Sequence, residues 1–161
     1  MKHHHLKLEA GANAQHASFV GARLREFDAQ HISLPADCHK EGVELYLTNA
    51  SGDVMAGLTG YTYWKALLIT KLWVSAAIRH QGHGTRLLQE AELRARKQGC
   101  THVLLETTTF NAPAFYQQRG YTLAGAVPNW PAGHEFQRWY KVLTTTKQPT
   151  THDAHTATEA T

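Results

Sequence analysis

Cysteine occurs only twice in the chain, at Cys38 and Cys100, and neither stands in a CxxC pair or at a Cys/His metal spacing. Two isolated thiols cannot staple a small scaffold, so a disulfide framework is excluded and both are expected to be free in a reducing compartment. Runs of basic residues are missing as well. The 16 Lys and Arg residues are scattered and the formal net charge is only +3, which leaves no stripe to follow a phosphate backbone, so nucleic acid is not an expected partner. The N-terminus lacks the apolar run of a signal peptide, and the most apolar internal stretch, Ala66 to Ile78, is short and broken by Lys71. No membrane span is available, and a cytoplasmic location is the expectation.

What is present suits a single core. The 161 residues are 42% hydrophobic and 18% charged, enough for one domain and too few for two ordinary ones. From Thr144 to Thr161 the chain has no large aliphatic or aromatic side chain, so this stretch cannot offset its ordering entropy and is expected to be a disordered tail behind a domain of residues 1–143. His3, His4 and His5 read equally as an added tag or as native sequence.

Within the domain the apolar periods alternate. Ala17, Val20, Leu24 and Phe27 mark a helix over Ala12 to Gln30. Val43 to Thr48 and Val54 to Trp64 read as strands around a turn at Asn49 to Asp53, and Leu67 to Val74 as a third strand. Leu87, Leu88, Ala91 and Ala95 share one face of a helix over Gly84 to Lys97, closed by Gly99. His102 to Thr107 is a fourth strand, a short helix runs from near Asn111 to Gly120 with Pro113 in its first turn, and strands over Tyr121 to Val127 and Glu135 to Leu143 finish the domain. The pattern predicts an α/β domain, a mixed central sheet flanked by helices.

The densest chemical signal lies where the third strand meets the second helix. Leu72, Trp73 and Val74 lead through Ser75 to Arg79 into His80-Gln81-Gly82-His83-Gly84-Thr85 and the helix. A glycine-bearing loop that opens a helix presents backbone N–H groups to an anion. It has neither the Lys-Ser/Thr of a P-loop nor GxGxxG. Taken alone, Gly82-x-Gly84 reads equally as a plain strand-to-helix turn.

Arg79-x-x-Gly82-x-Gly84, set between a Leu-Trp-Val strand end and a Leu-Leu helix, resembles the acetyl-coenzyme A signature of the Gcn5-related N-acetyltransferase (GNAT) superfamily. Asn111-Ala-Pro-Ala-Phe-Tyr116-Gln-Gln-Arg-Gly120-Tyr121 resembles that family's second block, with Ala114 one place off the usual alanine. The resemblance covers about residues 42–143. It implies acetyl transfer from acetyl-coenzyme A, as cosubstrate, to a primary amine of a small molecule. A protein N-terminus or lysine as acceptor, and a silent coenzyme A-binding domain, are the alternatives. It further implies a strand at Leu72–Val74 splayed from the strand of Glu106, with main-chain groups of Leu72 and Val74 on the pantetheine and the amides of His80 to Thr85 on the pyrophosphate. Asn111 would serve the pantetheine, or simply cap its helix, and Tyr116 would face the sulfur, or pack in the core. Homodimers through the final strands are the family's habit.

An unperturbed phenol lies about 1.5 pKa units above a thiol, so full proton transfer from Tyr116 to a thiolate is uphill by roughly 2 kcal/mol. A strong hydrogen bond is the expected service. Glu106 is the sole carboxylate on the two flanking strands, and is either base or amine anchor, or a solvated strand residue, since alternation alone does not fix its direction. His80 and His83, like His152 and His155, lack third and fourth ligands nearby, so no metal is expected. Trp64, Trp130 and Trp139 are either core aromatics or walls of an acceptor pocket.

Overall fold

The computed structural model describes residues 7–32 and 40–143. The expectations for His3 to His5, Cys38, His152, His155 and the tail from Thr144 lie outside the described residues. The chain divides into two compact units, Met1–Asp37 and Cys38–Thr161. The first contributes α1 (Ala14–His31). It starts two residues later than the apolar pattern suggests because Asn13 is the N-cap, its side chain accepting the His16 amide at 3.0 Å.

The second unit holds β1 (Glu41–Thr48), β2 (Val54–Tyr63), β3 (Ala66–Val74), a 3-10 turn (Ala76–Ile78), α2 (His83–Lys97), β4 (His102–Thr108), α3 (Pro113–Gln117), β5 (Thr122–Pro128) and β6 (Glu135–Val142). They form one mixed sheet in the order β1-β2-β3-β4-β6-β5. Only β3 and β4 are parallel, as a strand–helix–strand crossover through α2 requires. Asn49 ties the β1–β2 turn, its Oδ1 accepting the amides of Ser51 and Asp53.

Helix α2 buries the expected stripe of Leu87, Leu88, Ala91 and Ala95 against β1, β2 and β3, where Ala56, Leu58 and Leu67 are fully enclosed. Each such leucine contributes about 1.5–3 kcal/mol. One member of the stripe is charged: Glu92 is 3% exposed. Its carboxylate accepts from Tyr121 Oη at 3.0 Å, from Lys141 Nζ at 2.9 and 2.8 Å, and from Arg96 at 3.3 Å, which is what a buried charge requires. Gly99 takes φ +75°, the left-handed stop expected of it.

The sheet is not evenly paired. Thr59 stands opposite Lys71 but Gly60 stands opposite Ile69, so Thr70 is an extra residue in β3. Its hydroxyl donates to the Thr59 carbonyl at 3.0 Å. A bulge bends the strand that carries it, and beyond this one β3 leaves β4: their pairing runs from Ala66↔His102 to Ile69↔Leu105 and stops, although β3 continues to Val74 and β4 to Thr108. The extra residue also resets the alternation. Leu67 and Ile69 are buried, and after the bulge it is Leu72 and Val74 that pack on the core, while Trp73 is exposed.

Candidate active site

The gap between the diverging ends of β3 and β4 is a cleft of about 1030 Å³. Its walls come from both faces of the sheet. Leu72, Val74, Ile78, Phe115 and Tyr116 lie on the side of α2, whereas Lys71, Trp73 and Glu106 point the other way by strand alternation. Leu72, Trp73, Val74, Arg79, His80, Gly82, His83, Gly84, Thr85, Glu106, Asn111 and Tyr116 all line it. Gln81 does not; its side chain turns back to the Ala77 carbonyl at 3.5 Å.

The main chain of β3 is presented to this cleft by the ladder itself. Ser75 donates its amide to the Met55 carbonyl at 2.8 Å, so this pair is hydrogen-bonded across β2 and β3. Antiparallel pairs alternate, which makes Gly57 and Trp73 the next bonded pair and turns the N–H and C=O of Leu72 and Val74 toward the side that β4 has vacated. The Val74 carbonyl is then engaged by Arg79, whose Nε donates to it at 3.1 Å. The arginine of the loop motif thus fastens the strand end rather than reaching forward.

The loop is shaped by two left-handed residues, His80 at φ +62° and Gly82 at φ +84°, with Gly82 the N-cap of α2. No side chain caps the helix and no acidic residue stands in its first turn. The leading amides, backed by the helix dipole, are left for an anion. Gly84 is helical, and a Cβ there would lie 3.4 Å from Phe115 Cζ and 3.6 Å from Val74 Cγ2. The space between α2, α3 and the end of β3 therefore takes a methyl group there but no longer side chain without moving Phe115 or Val74.

Asn111 does not cap α3. The cap is Ala112 at φ +53°, and the helix is only five residues long with Pro113 first. Asn111 instead donates from Nδ2 to Thr108 Oγ1 at 3.0 Å while its main-chain carbonyl accepts from Thr107 Oγ1 at 3.3 Å. The first bond engages the side chain locally and the second fixes the main chain before the helix starts, which keeps Asn111 at the wall of the cleft. The Tyr116 ring is buried edge-on to Phe115 and Tyr121, with centroids 5.1 and 5.8 Å away. Its hydroxyl has no protein partner among the described residues, yet no buried side-chain polar atom is left unpaired, so it opens to the cleft. Burial pushes this phenol above its ordinary value.

Glu106 Oε1 takes both Nε (3.0 Å) and Nη2 of Arg138, its opposite residue on β6. The pair is exposed. Trp139 is a core residue, with Nε1 donating to Gln137 at 3.2 Å. Trp130 is exposed and packs on Phe136, a cleft residue, at 4.6 Å, and Trp64 stacks on Tyr63 outside the cleft. Sequence reasoning passed over Arg119. Its guanidinium donates to Thr85 Oγ1 at 2.9 and 2.6 Å and to the Phe115 carbonyl at 2.6 Å, and stacks 3.6 Å over the Phe115 ring. Its place beside Gly120 in the second motif was the available signal.

Residues 9–121 match the model of the acetyltransferase (GNAT) family. The chain belongs to that family. It is 43% identical over 95 residues to the blasticidin-S acetyltransferase of Streptomyces morookaense, covering 56% of this chain and 70% of that protein. The crystal structure of an acetyltransferase from Bacillus cereus superposes with a TM-score of 0.78 at 31% identity, over 85% of this chain and 98% of that one. An acetyltransferase structure from Bacillus anthracis, solved with acetyl coenzyme A, shares the fold at a TM-score of 0.57 and 19% identity, over 72% and 68% of the two chains. The protein is therefore a GNAT acetyltransferase with the mixed sheet of that family. No described helix is long and apolar enough to cross a membrane.

Proposed function

We propose that this acetyltransferase moves an acetyl group from acetyl-coenzyme A to a primary amine of a small molecule, with residues 1–143 as the catalytic domain. The observation that carries the cofactor half is the convergence on one cleft of the outward main chain of Leu72 and Val74, the uncapped start of α2 and the Tyr116 hydroxyl. That donor set fits the cofactor: strand groups for an amide-bearing arm, helix amides without an acid for a diphosphate, and a neutral phenol for a sulfur. The Bacillus anthracis structure with acetyl coenzyme A supports the same assignment.

Bound there, the cofactor supplies a thioester whose carbonyl carbon gains the amine nitrogen as the C–S bond breaks, so charge builds first on the carbonyl oxygen and then on sulfur. The Val74 amide serves the oxygen and Tyr116 the sulfur, each as a hydrogen-bond donor placed before the charge develops. A phenol raised by burial donates a hydrogen bond without giving up its proton. Glu106, with its second oxygen unpaired among the described residues, receives the acceptor's ammonium from the far mouth of the cleft. The ammonium gives one proton to solvent before its nitrogen attacks, and the second proton lost as the amide forms passes through water to the departing thiolate.

Two features support a small acceptor. The loop after β5 reaches the cleft wall through Trp130 on Phe136 and through His134 edge-on to Phe110 at 4.8 Å, narrowing that mouth. The relative from Streptomyces morookaense is named for blasticidin S. A thiol-release assay with blasticidin S and a panel of amines, run beside N-terminal and lysine peptides, tests the reading. Turnover confined to the peptides would replace it with protein acetylation. Acetyl-coenzyme A bound without turnover of any acceptor would favour a silent binding domain.

A further inference from the structure

Helix α3 is too short to place its own side chains. It has five residues, and in a helix of that length the cost of nucleation outweighs the few internal bonds, so the position of Tyr116 is set by what meets it. Two rings meet it edge-on, those of Phe115 and Tyr121, and each is tied to α2. Phe115 lies 3.6 Å under the Arg119 guanidinium, which donates to Thr85 Oγ1. Tyr121 is buried and donates from Oη to Glu92 at 3.0 Å. Thr85 and Glu92 stand about two turns apart on one face of α2. We propose that the second tie has a part in the reaction: Tyr121, held by Glu92, is a positioning residue that aims the Tyr116 hydroxyl at the departing sulfur. The proposal rests on the assignment of Tyr116 to the sulfur made above.

The parts of this tie are themselves fixed. Glu92 is held by Lys141 Nζ from β6, at 2.9 and 2.8 Å, and by Arg96 one turn along α2, at 3.3 Å. The same Lys141 ammonium lies 5.4 Å from the centre of the Tyr121 ring. Burial, and then the charge of Glu92 and the hydrogen bond to it, push the Tyr121 phenol far above its ordinary value, so it keeps its proton and the bond to Glu92 persists while the enzyme works. From Tyr121 two contacts run to Tyr116. One is the ring edge, with centroids 5.8 Å apart; the other is the Tyr121 amide, which donates to the Tyr116 carbonyl at 3.1 Å beside the Arg119 amide at 2.9 Å. Ring and main chain of Tyr116 are thus held from one residue. Its hydroxyl has no protein partner among the described residues, so the aim must come from behind. A donor aimed before charge develops stabilises it most, and a side chain stays aimed only when the groups supporting it are locked. Tyr121 itself makes and breaks no bond.

The thiol of bound coenzyme A reads this arrangement without any acceptor. Its ionisation in the complex is followed by the ultraviolet absorbance of the thiolate, with desulfo-coenzyme A as the blank for protein phenols. A hydrogen bond to the thiolate lowers the thiol's pKa, so Tyr116→Phe is expected to raise it by about one pH unit. Tyr121→Phe keeps the buried ring and loses only the tie to Glu92. It should raise the same pKa by about 0.3–0.7 pH units, leave coenzyme A affinity in calorimetry within about twofold, and add nothing once Tyr116 is phenylalanine. A merely structural Tyr121 would alter the folded fraction, which the pKa of a bound thiol does not register. No rise in Tyr121→Phe, or the same rise with and without the Tyr116 hydroxyl, overturns the positioning role alone. No rise in Tyr116→Phe overturns the assignment of Tyr116 to the sulfur, and this role with it. Coenzyme A that fails to bind the folded protein overturns the cofactor reading, and both roles with it.

Discussion

Gly60 and the Leu68 carbonyl, one position along from its partner Ile69, meet across the β2–β3 ladder with no room for a side chain between them. A Cβ on Gly60 would overlap the Leu68 carbonyl oxygen and come within 3.1 Å of Ile69 Cα. Gly60 pairs with Ile69, the residue just before the bulge at Thr70, where β3 parts from β4. The missing side chain is what lets the bulge fold down onto β2, and the bulge opens the cleft. Gly60→Ala is therefore expected to cost about 1–3 kcal/mol, as overpacking does, and to weaken acetyl-coenzyme A binding together with stability. Denaturant unfolding and calorimetry measure the two. A destabilised variant with unchanged cofactor affinity would detach the bulge from the site.

Gly84 has a different tolerance. A methyl group there meets Phe115 and Val74 at ordinary contact distances, and the backbone is helical rather than left-handed. Gly84→Ala should keep cofactor binding and stabilise by up to about 1 kcal/mol through helix propensity. Gly84→Glu should displace Phe115 and bring a negative charge to the uncapped amides, abolishing binding in calorimetry. Normal affinity in the glutamate variant would move the diphosphate away from the start of α2.

The sheet and α2 were legible because their apolar periods are long and regular. The splay was legible only through the family resemblance: Leu68 and Trp73 are apolar as well, so the step from Leu67 and Ile69 to the partly buried Leu72 and Val74 shows only in the folded strand. Other features were set by contacts distant in sequence. Glu92 sits on the apolar face of α2 because Tyr121 and Lys141 come from elsewhere to meet it. Asn111 looked like a cap until Thr107 and Thr108 claimed it and Ala112 took the left-handed turn. The direction of Glu106 follows from the burial of Leu105 and Thr107 on either side, which alternation without structure does not reveal.

Burial raises the phenols of Tyr121 and Tyr116, that of Tyr121 further through the charge of Glu92 and the hydrogen bond to it. Below about pH 10 both are neutral, folded or unfolded, and contribute no slope. Above it the unfolded chain loses these protons while the folded one keeps them, so stability falls as pH rises, by up to about 1.4 kcal/mol per pH unit for each tyrosine. Tyr121→Phe should cost about 0.5–1.5 kcal/mol near neutrality, for the lost hydrogen bond, and should fall less steeply in alkali. Urea unfolding from pH 8 to 11.5 should show the two proteins converging; parallel curves would mean that Tyr121 ionises normally in the fold.

Tyr116→Phe separates chemistry from packing. The phenylalanine ring keeps the edge-on contacts with Phe115 and Tyr121, and the hydroxyl it removes has no protein partner among the described residues, so folding stability should change little. Should the hydroxyl serve the sulfur, the turnover number falls by about 10²- to 10³-fold, the range for a preorganised hydrogen-bond donor to developing charge, with cofactor affinity nearly unchanged. The loss should fall on turnover more than on the acceptor Michaelis constant, because the bond strengthens only as charge collects on sulfur. With its pKa raised by burial, the phenol stays protonated through pH 9, so wild-type turnover should show no alkaline decline there from this group. Single-turnover measurement is the right check, since it isolates the chemical step from product release. An unchanged chemical step in Tyr116→Phe would return Tyr116 to the core and leave water or another donor to stabilise the thiolate.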